Sequence, residues 1–248
     1  MDVQQDRWLL PPDALLLKDG DVHLWRADLE REPSTVEQLF NRLSSEERQR
    51  AARYYFVKDR ERFIVARGAL REILGRYLGM EPEQISFSYN GYGKPSLTTG
   101  TGNDVLRFNV SHSRGIALYA VTRGQEVGLD IEYMRQDIAS LLIAQHFFSP
   151  SEVSVLSALP DSLQPAAFFN CWTRKEAYIK ALGTGLSHPL KQFTVSMIPG
   201  EPARLLRTTD PQETQRWSLI ALSPHPDYKA ALVMEGAVRT LSFWQWSQ

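Results

Sequence analysis

Apolar and polar positions alternate from Val22 to Leu29, the period-two spacing of a strand with one face toward a core. The segment ahead of it reads as an irregular arm that lays Trp8, Leu9 and Leu10 on the rest of the molecule. Ser44 followed by Glu47 is a capping-box spacing and predicts a helix start. Asp59 is expected to open a second helix over Arg60 to Leu78, which Gly79 can end. The run NGYGKP from Asn90 to Pro95 is turn chemistry. Strand patterns follow at 105–111, 115–122 and 126–132, and then a helix at 138–147. Ser149, Pro150 and Glu152 sit at the N-cap, N1 and N3 positions of the next helix. A long helix from Pro165 to Leu182 is expected to stop at Gly183, and strands at 192–198, 216–222, 228–235 and 238–245 close the chain.

The order of these elements repeats. A helix ending at Leu78-Gly79 precedes FSYN, RFNVSHS and GIALYAVT; a helix ending at Leu182-Gly183 precedes FTVSMI, RWSLIALS and YKAALVME. Phe87 and Phe193 are 106 residues apart, and Arg107 and Arg216 are 109 apart. The pattern predicts two α+β halves of about 120 residues, with a ligand site where they meet.

Composition narrows the class. With 43% hydrophobic and 23% charged residues in 248, the chain is globular rather than disordered. Its 28 basic and 29 acidic residues set up no global field that would demand a nucleic-acid or membrane partner. One cysteine, Cys171, excludes internal disulfides and multi-cysteine metal sites; it reads as a small core residue and suits a cytoplasmic location. No apolar run has the length of a membrane span, and the acid and prolines of MDVQQDRWLLPPDALLL are unlike a signal peptide.

Four groups of residues could carry chemistry. In Gly128-Leu129-Asp130-Ile131-Glu132, strand alternation puts both carboxylates on one face, where they either meet water or share a cation such as Mg²⁺. Trp172, Glu176 and Lys180 fall on one helical stripe, either as a core Trp under a surface ion pair or as a metal ligand beside a phosphate-facing ammonium. Lys94 on its turn, with Ser111 and His112 at a strand end, can converge on a phosphate or be ordinary turn and strand residues. Neighbours on a strand point oppositely, so Ser111 and His112 are badly placed as a nucleophile–base pair. Residues 42–76 hold ten basic and five acidic side chains, a local net charge of +5, which is either a solvated helical face or a dock for something anionic. Glu152 has its N3 capping role as an alternative to any catalytic one.

In their joint order these segments resemble the surfactin-type phosphopantetheinyl transferases, the long single-chain class. The carriers of the resemblance are Tyr92-Gly93-Lys94-Pro95, Phe108 to Ser113, Gly128 to Glu132, Phe147 to Glu152, and Trp172-x-x-Lys175-Glu176-Ala177-Tyr178-x-Lys180-x-x-Gly183-x-Gly185-Leu186. Arg62 and Arg67 match more loosely. The resemblance implies an α+β fold of two similar halves about a pseudo-twofold axis. Residues 1–123 would contact the adenosine end of coenzyme A, and 124–248 would carry metal-binding carboxylates. It implies that Asp130, Glu132 and Glu176 hold Mg²⁺, that Lys180 faces the diphosphate, and that Lys94, Ser111, His112 and Arg62 face the adenosine end. The arm of coenzyme A would pass to a serine of an apo acyl or peptidyl carrier protein, releasing adenosine 3′,5′-bisphosphate. Glu176 is the first candidate for general base and Glu152 the second. A monomer is expected. A magnesium-dependent phosphohydrolase and a non-catalytic module docking an acidic partner are the competing classes.

Overall fold

The computed structural model describes residues 7–98, 105–135 and 140–247. In chain order come β1 (Asp21–Asp28), α1 (Pro33–Asn41), α2 (Ser45–Ala52), α3 (Val57–Leu78), β2 (Phe87–Tyr89), β3 (Pro95–Leu97), β4 (Leu106–Ser113), β5 (Ile116–Arg123) and β6 (Val127–Tyr133). Then follow α4 (Leu141–Phe147), α5 (Pro150–Ala158), α6 (Gln164–Leu182), β7 (Thr194–Val195), β8 (Leu205–Arg207), β9 (Trp217–Leu222), β10 (Tyr228–Glu235) and β11 (Thr240–Gln245). The α+β class is the one expected.

One main sheet has the order β11-β1-β5-β4 and the other β6-β10-β9, while β2-β3 and β7-β8 form two-stranded ribbons. Each main sheet carries its own long helix on one face. α3 buries Ile64, Val65 and Leu70 against Trp25, Tyr119 and Val121. α6 buries Ala177 and Ala181 in the cluster that holds Ala231 and Val233. A third apolar cluster, with Leu24, Leu118, Leu129, Ile131 and Leu232, joins the two sheets. Strand alternation therefore sends Leu129 and Ile131 into the seam between the halves and leaves Asp130 and Glu132 on the α6 side.

Both expected capping boxes form, at Ser44/Glu47 and at Ser149/Glu152. The expected start at Asp59 is displaced: α3 begins at Val57 behind Phe56, which makes no capping bond, and Asp59 lies in the first turn, where its charge suits the helix dipole. Strand β4 runs to Ser113, two residues beyond the expected end, while the strand expected at 192–198 shrinks to Thr194–Val195. Of the helix expected over 138–147, residues 138 and 139 lie outside the described residues. In the arm, Trp8 packs edge-on against Phe243, but Leu9 and Leu10 stay exposed. The last strand also departs from the expected division at 123/124. β11 pairs in parallel with β1, completing the sheet of the first half, because β5 occupies only one edge of β1.

Candidate functional site

The two halves meet where edge strand β4 runs alongside β6. No backbone ladder joins them; alternate side chains of β4 do. Asn109 Oδ1 accepts from the Leu129 N–H at 2.9 Å, Ser111 Oγ from Ile131 at 3.3 Å and Ser113 Oγ from Tyr133 at 3.1 Å. The two hydroxyls also donate to the carboxylates: Ser111 to Asp130 Oδ1 and Ser113 to Glu132 Oε2, both at 2.9 Å. The strand pattern over 105–111 stops short of Ser113, which the two further residues of β4 place on the same face as Ser111.

Helix α6 supplies the third side. It can approach β6 because Gly128 has no side chain: a Cβ there would lie 2.0 Å from the Ala177 carbonyl oxygen and 2.3 Å from the Ala181 nitrogen. That contact brings Lys180 Nζ to 2.6 Å from Asp130 Oδ1 and 3.0 Å from Ser111 Oγ. Asp130 is 3% exposed, and its second oxygen, Oδ2, is buried without a hydrogen-bond partner. Burial first, then the Asp130 charge, raises the Glu132 pKa. Glu176 is pushed up to about 7, by burial and then by the charges of Asp130 and Glu132. The Asp130 charge thus disfavours ionisation of Glu132 and Glu176, and one ammonium stands among the three acids. The donors are all hard oxygens, as Mg²⁺ requires, and the orphaned Asp130 oxygen is a ready ligand. Among the described residues no three such groups stand close enough to enclose a metal as they are. Lys180 stands at Asp130 as its counter-ion.

A basic region adjoins the acids. His112 keeps accessible surface, yet the protein around it lowers its pKa, followed by the charges of Lys180, Arg50 and Arg62. Four cationic or potentially cationic groups from β4, α2, α3 and α6 therefore share one field. In the sequence Arg50 is one of the ten basic residues of 42–76, and nothing local marks it as facing His112.

Sequence models of 4′-phosphopantetheinyl transferases match both parts of the chain: the N-terminal model over residues 29–123 and the superfamily model over 126–233. The chain is 41% identical to the 4′-phosphopantetheinyl transferase HetI of Nostoc sp., covering 98% of this chain and 99% of the relative. The chain belongs to the surfactin-type 4′-phosphopantetheinyl transferases. A 4′-phosphopantetheinyl transferase of Bacillus subtilis is 32% identical over 78% of this chain and 87% of its own. Sfp of Bacillus subtilis is 34% identical over 65% and 69%. The second family match stops at residue 233, ahead of the strand that crosses to the first sheet.

Within this transferase the other expected site residues fall in three places. Ser111, His112, Asp130, Glu132, Glu176 and Lys180 come together as described. Arg62 is partly committed: Nη2 donates to Glu30 Oε1 at 2.7 Å, while Nε is buried without a partner. Glu152 and Lys94 are directed elsewhere. Glu152 is 2% exposed, and both its oxygens are engaged, by the Val195 N–H, the Ser149 N–H and Lys175 Nζ, each at 2.8 Å. Its carboxylate is thus bound within the second half, apart from the acid set around Asp130. The Lys94 ammonium donates to Glu126 Oε2 at 2.7 Å and to the Ala181 carbonyl at 3.0 Å, a bond between the halves. No described helix is long and apolar enough to cross a membrane.

Proposed function

We propose that this transferase moves the 4′-phosphopantetheine arm of coenzyme A onto a serine hydroxyl of an apo acyl or peptidyl carrier protein, with Mg²⁺, and releases adenosine 3′,5′-bisphosphate. One observation carries the reading: Asp130, with its orphaned buried oxygen, stands among Glu132, Glu176 and Lys180 at the seam between the halves.

Asp130, Glu132 and Glu176 would hold the metal, which supplies charge stabilisation at the diphosphate as the bridging bond breaks. Lys180 neutralises the same developing charge from the α6 side. Transfer from the serine hydroxyl needs a proton acceptor, and Glu176 serves as that base, directly or through one water. His112, with Arg50 and Arg62, receives the adenosine-end phosphate, and Ser111 orients both Asp130 and Lys180. The first half thus serves the adenosine end and the second the metal. A site completed from both halves of one chain supports a monomeric enzyme, and the single buried thiol Cys171 suits a cytoplasmic one.

The test is direct. Protein incubated with coenzyme A, Mg²⁺ and an apo carrier domain should add the mass of one phosphopantetheine to the carrier and yield adenosine 3′,5′-bisphosphate. Hydrolysis of coenzyme A with an unmodified carrier would replace this reading with a phosphohydrolase.

A further inference from the structure

The two long helices close on themselves in the same way, and the second also receives donors from the other half. At α3 the chain closes itself: the N–H groups of Gly79 and Met80 both donate to the Gly75 carbonyl. At α6 the N–H groups of Gly183 and Thr184 likewise both donate to the Ile179 carbonyl, Gly183 also to Lys180, and the carbonyls from Ala181 onward lie beyond the helix's own donors. The turn between β2 and β3 provides donors for them from the other half. Asn90 Nδ2 donates to the Gly183 carbonyl at 2.8 Å, and Lys94 Nζ to the Ala181 carbonyl at 3.0 Å. Asn90 also shapes the turn, since its Oδ1 accepts from the N–H groups of Tyr92 and Lys94, each at 2.9 Å. The glycine at 183 makes room: a Cβ there would lie 3.2 Å from both Asn90 Nδ2 and Lys94 Cδ.

Lys94 does more than cap. Its ammonium is bound to Glu126, which immediately precedes β6, and to Ala181, which immediately follows Lys180. Those two elements carry the whole carboxylate set, and among the described residues Lys180 to Asp130 is the other ion pair between them. An ammonium at a helix C-terminus is also favoured by the helix dipole.

We infer that Lys94 is a positioning residue of the transferase: from the turn of the first half it holds the end of α6 against the start of β6 and so sets Lys180 and Glu176 relative to Asp130. The inference rests on the roles given above to those three residues. It separates Lys94 from the groups that bind the adenosine-end phosphate.

The experiment compares Lys94→Ala, Glu126→Gln and the double variant by kcat, by coenzyme A affinity from calorimetry, and by amide exchange across 179–184. Displacing a catalytic group by about 1 Å costs up to about a hundredfold in rate. Lys94→Ala should therefore lower kcat by about tenfold to a hundredfold, leave the coenzyme A Kd within about threefold, and speed exchange at Gly183 and Thr184. Glu126→Gln should move kcat in the same direction, and the double variant should be no worse than Lys94→Ala. A raised coenzyme A Kd at unchanged kcat in Lys94→Ala, or tighter binding in Glu126→Gln, would make Lys94 a phosphate ligand and overturn the inference. A kcat loss that merely follows the unfolded fraction, with no local exchange change at 183–184, would also overturn it. Failure of the wild-type protein to modify any carrier would strike the proposed reaction instead, and the exchange measurement would still report on the clasp.

Discussion

Arg71 and Lys175 hold the same position in the two halves. Each lies eight residues before the left-handed glycine that ends its helix, Gly79 or Gly183, and the two cations are 104 residues apart, as are the two glycines. Each is buried against the N3 glutamate of a capping box. Arg71 Nε donates to Glu47 Oε2 at 2.7 Å, and Lys175 Nζ lies 2.8 Å from Glu152 Oε2. Each also donates to two backbone carbonyls in the segment ahead of its ribbon, Pro82 and Ile85 in one half and Leu190 and Phe193 in the other. Each lies over the ring of the matching phenylalanine, Phe87 or Phe193. The internal repeat is thus carried by a buried ion pair that ties the short helix, the long helix and the ribbon of each half.

That pair makes a stability prediction. Glu152→Ala leaves the Lys175 ammonium buried without its counter-ion, at a cost of roughly 3–5 kcal/mol. Denaturant unfolding should show that loss, and Lys175→Met should show one of similar size. The protein that remains folded at low temperature should transfer at near wild-type kcat, since Glu152 does not face the cleft. A soluble, fully folded Glu152→Gln protein with abolished transfer would restore Glu152 as a catalytic candidate.

Asp130→Asn and Glu176→Gln should keep the fold, because neither residue lies in an apolar cluster. Each should lower kcat by at least about 10²–10³-fold, the usual loss on removing a group that stabilises developing charge. Magnesium titration should show weaker activation in both. Near wild-type transfer by Asp130→Asn would sink the metal assignment.

The Glu176 pKa gives a pH prediction with a definite sign. Its folded value, about 7, lies above its ordinary 4.5, so the protonated form is the one that the metal-free fold favours. The contribution is complete below pH 4.5 and is lost as pH rises toward and through 7. Metal-free wild type should lose roughly 3 kcal/mol relative to Glu176→Gln across that window. Mg²⁺ should raise the melting temperature of the wild type more at pH 8 than at pH 6. Parallel stability curves for the two proteins would place Glu176 outside the acid cluster.

For the adenosine end, His112→Ala and Arg50→Ala should each raise the KM for coenzyme A by about 10–100-fold, the worth of a hydrogen bond to a charged group. The KM for dephospho-coenzyme A should move little. Equal effects on both substrates would remove these residues from the phosphate. Arg48 is the control: it is held by the Asn41 carbonyl and lies over Phe40, so its alanine variant should leave both KM values unchanged.

By itself the sequence determined whatever depends on near neighbours in the chain. The capping boxes at Ser44 and Ser149 need only residues three apart, and the common facing of Asp130 and Glu132 follows from strand alternation. The left-handed stops at Gly79 and Gly183 are equally local, and the ordered motifs from Tyr92 to Leu186 were enough to indicate the family. What only the tertiary structure decided are partnerships across long separations. Lys180 meets Asp130 fifty residues away, Lys94 meets Ala181 eighty-seven residues away, and β11 crosses to the sheet of the first half. Glu152 and Glu176 are chemically the same acid, and nothing in their local sequence says which is enclosed and which is left short of a counter-ion. The surroundings make them differ. A glycine at 128 lets α6 press Glu176 and Lys180 toward two other carboxylates, while α5 turns Glu152 inward onto Lys175. Charge, burial and donor supply are properties of packed neighbours, and packing is settled only when the whole chain closes.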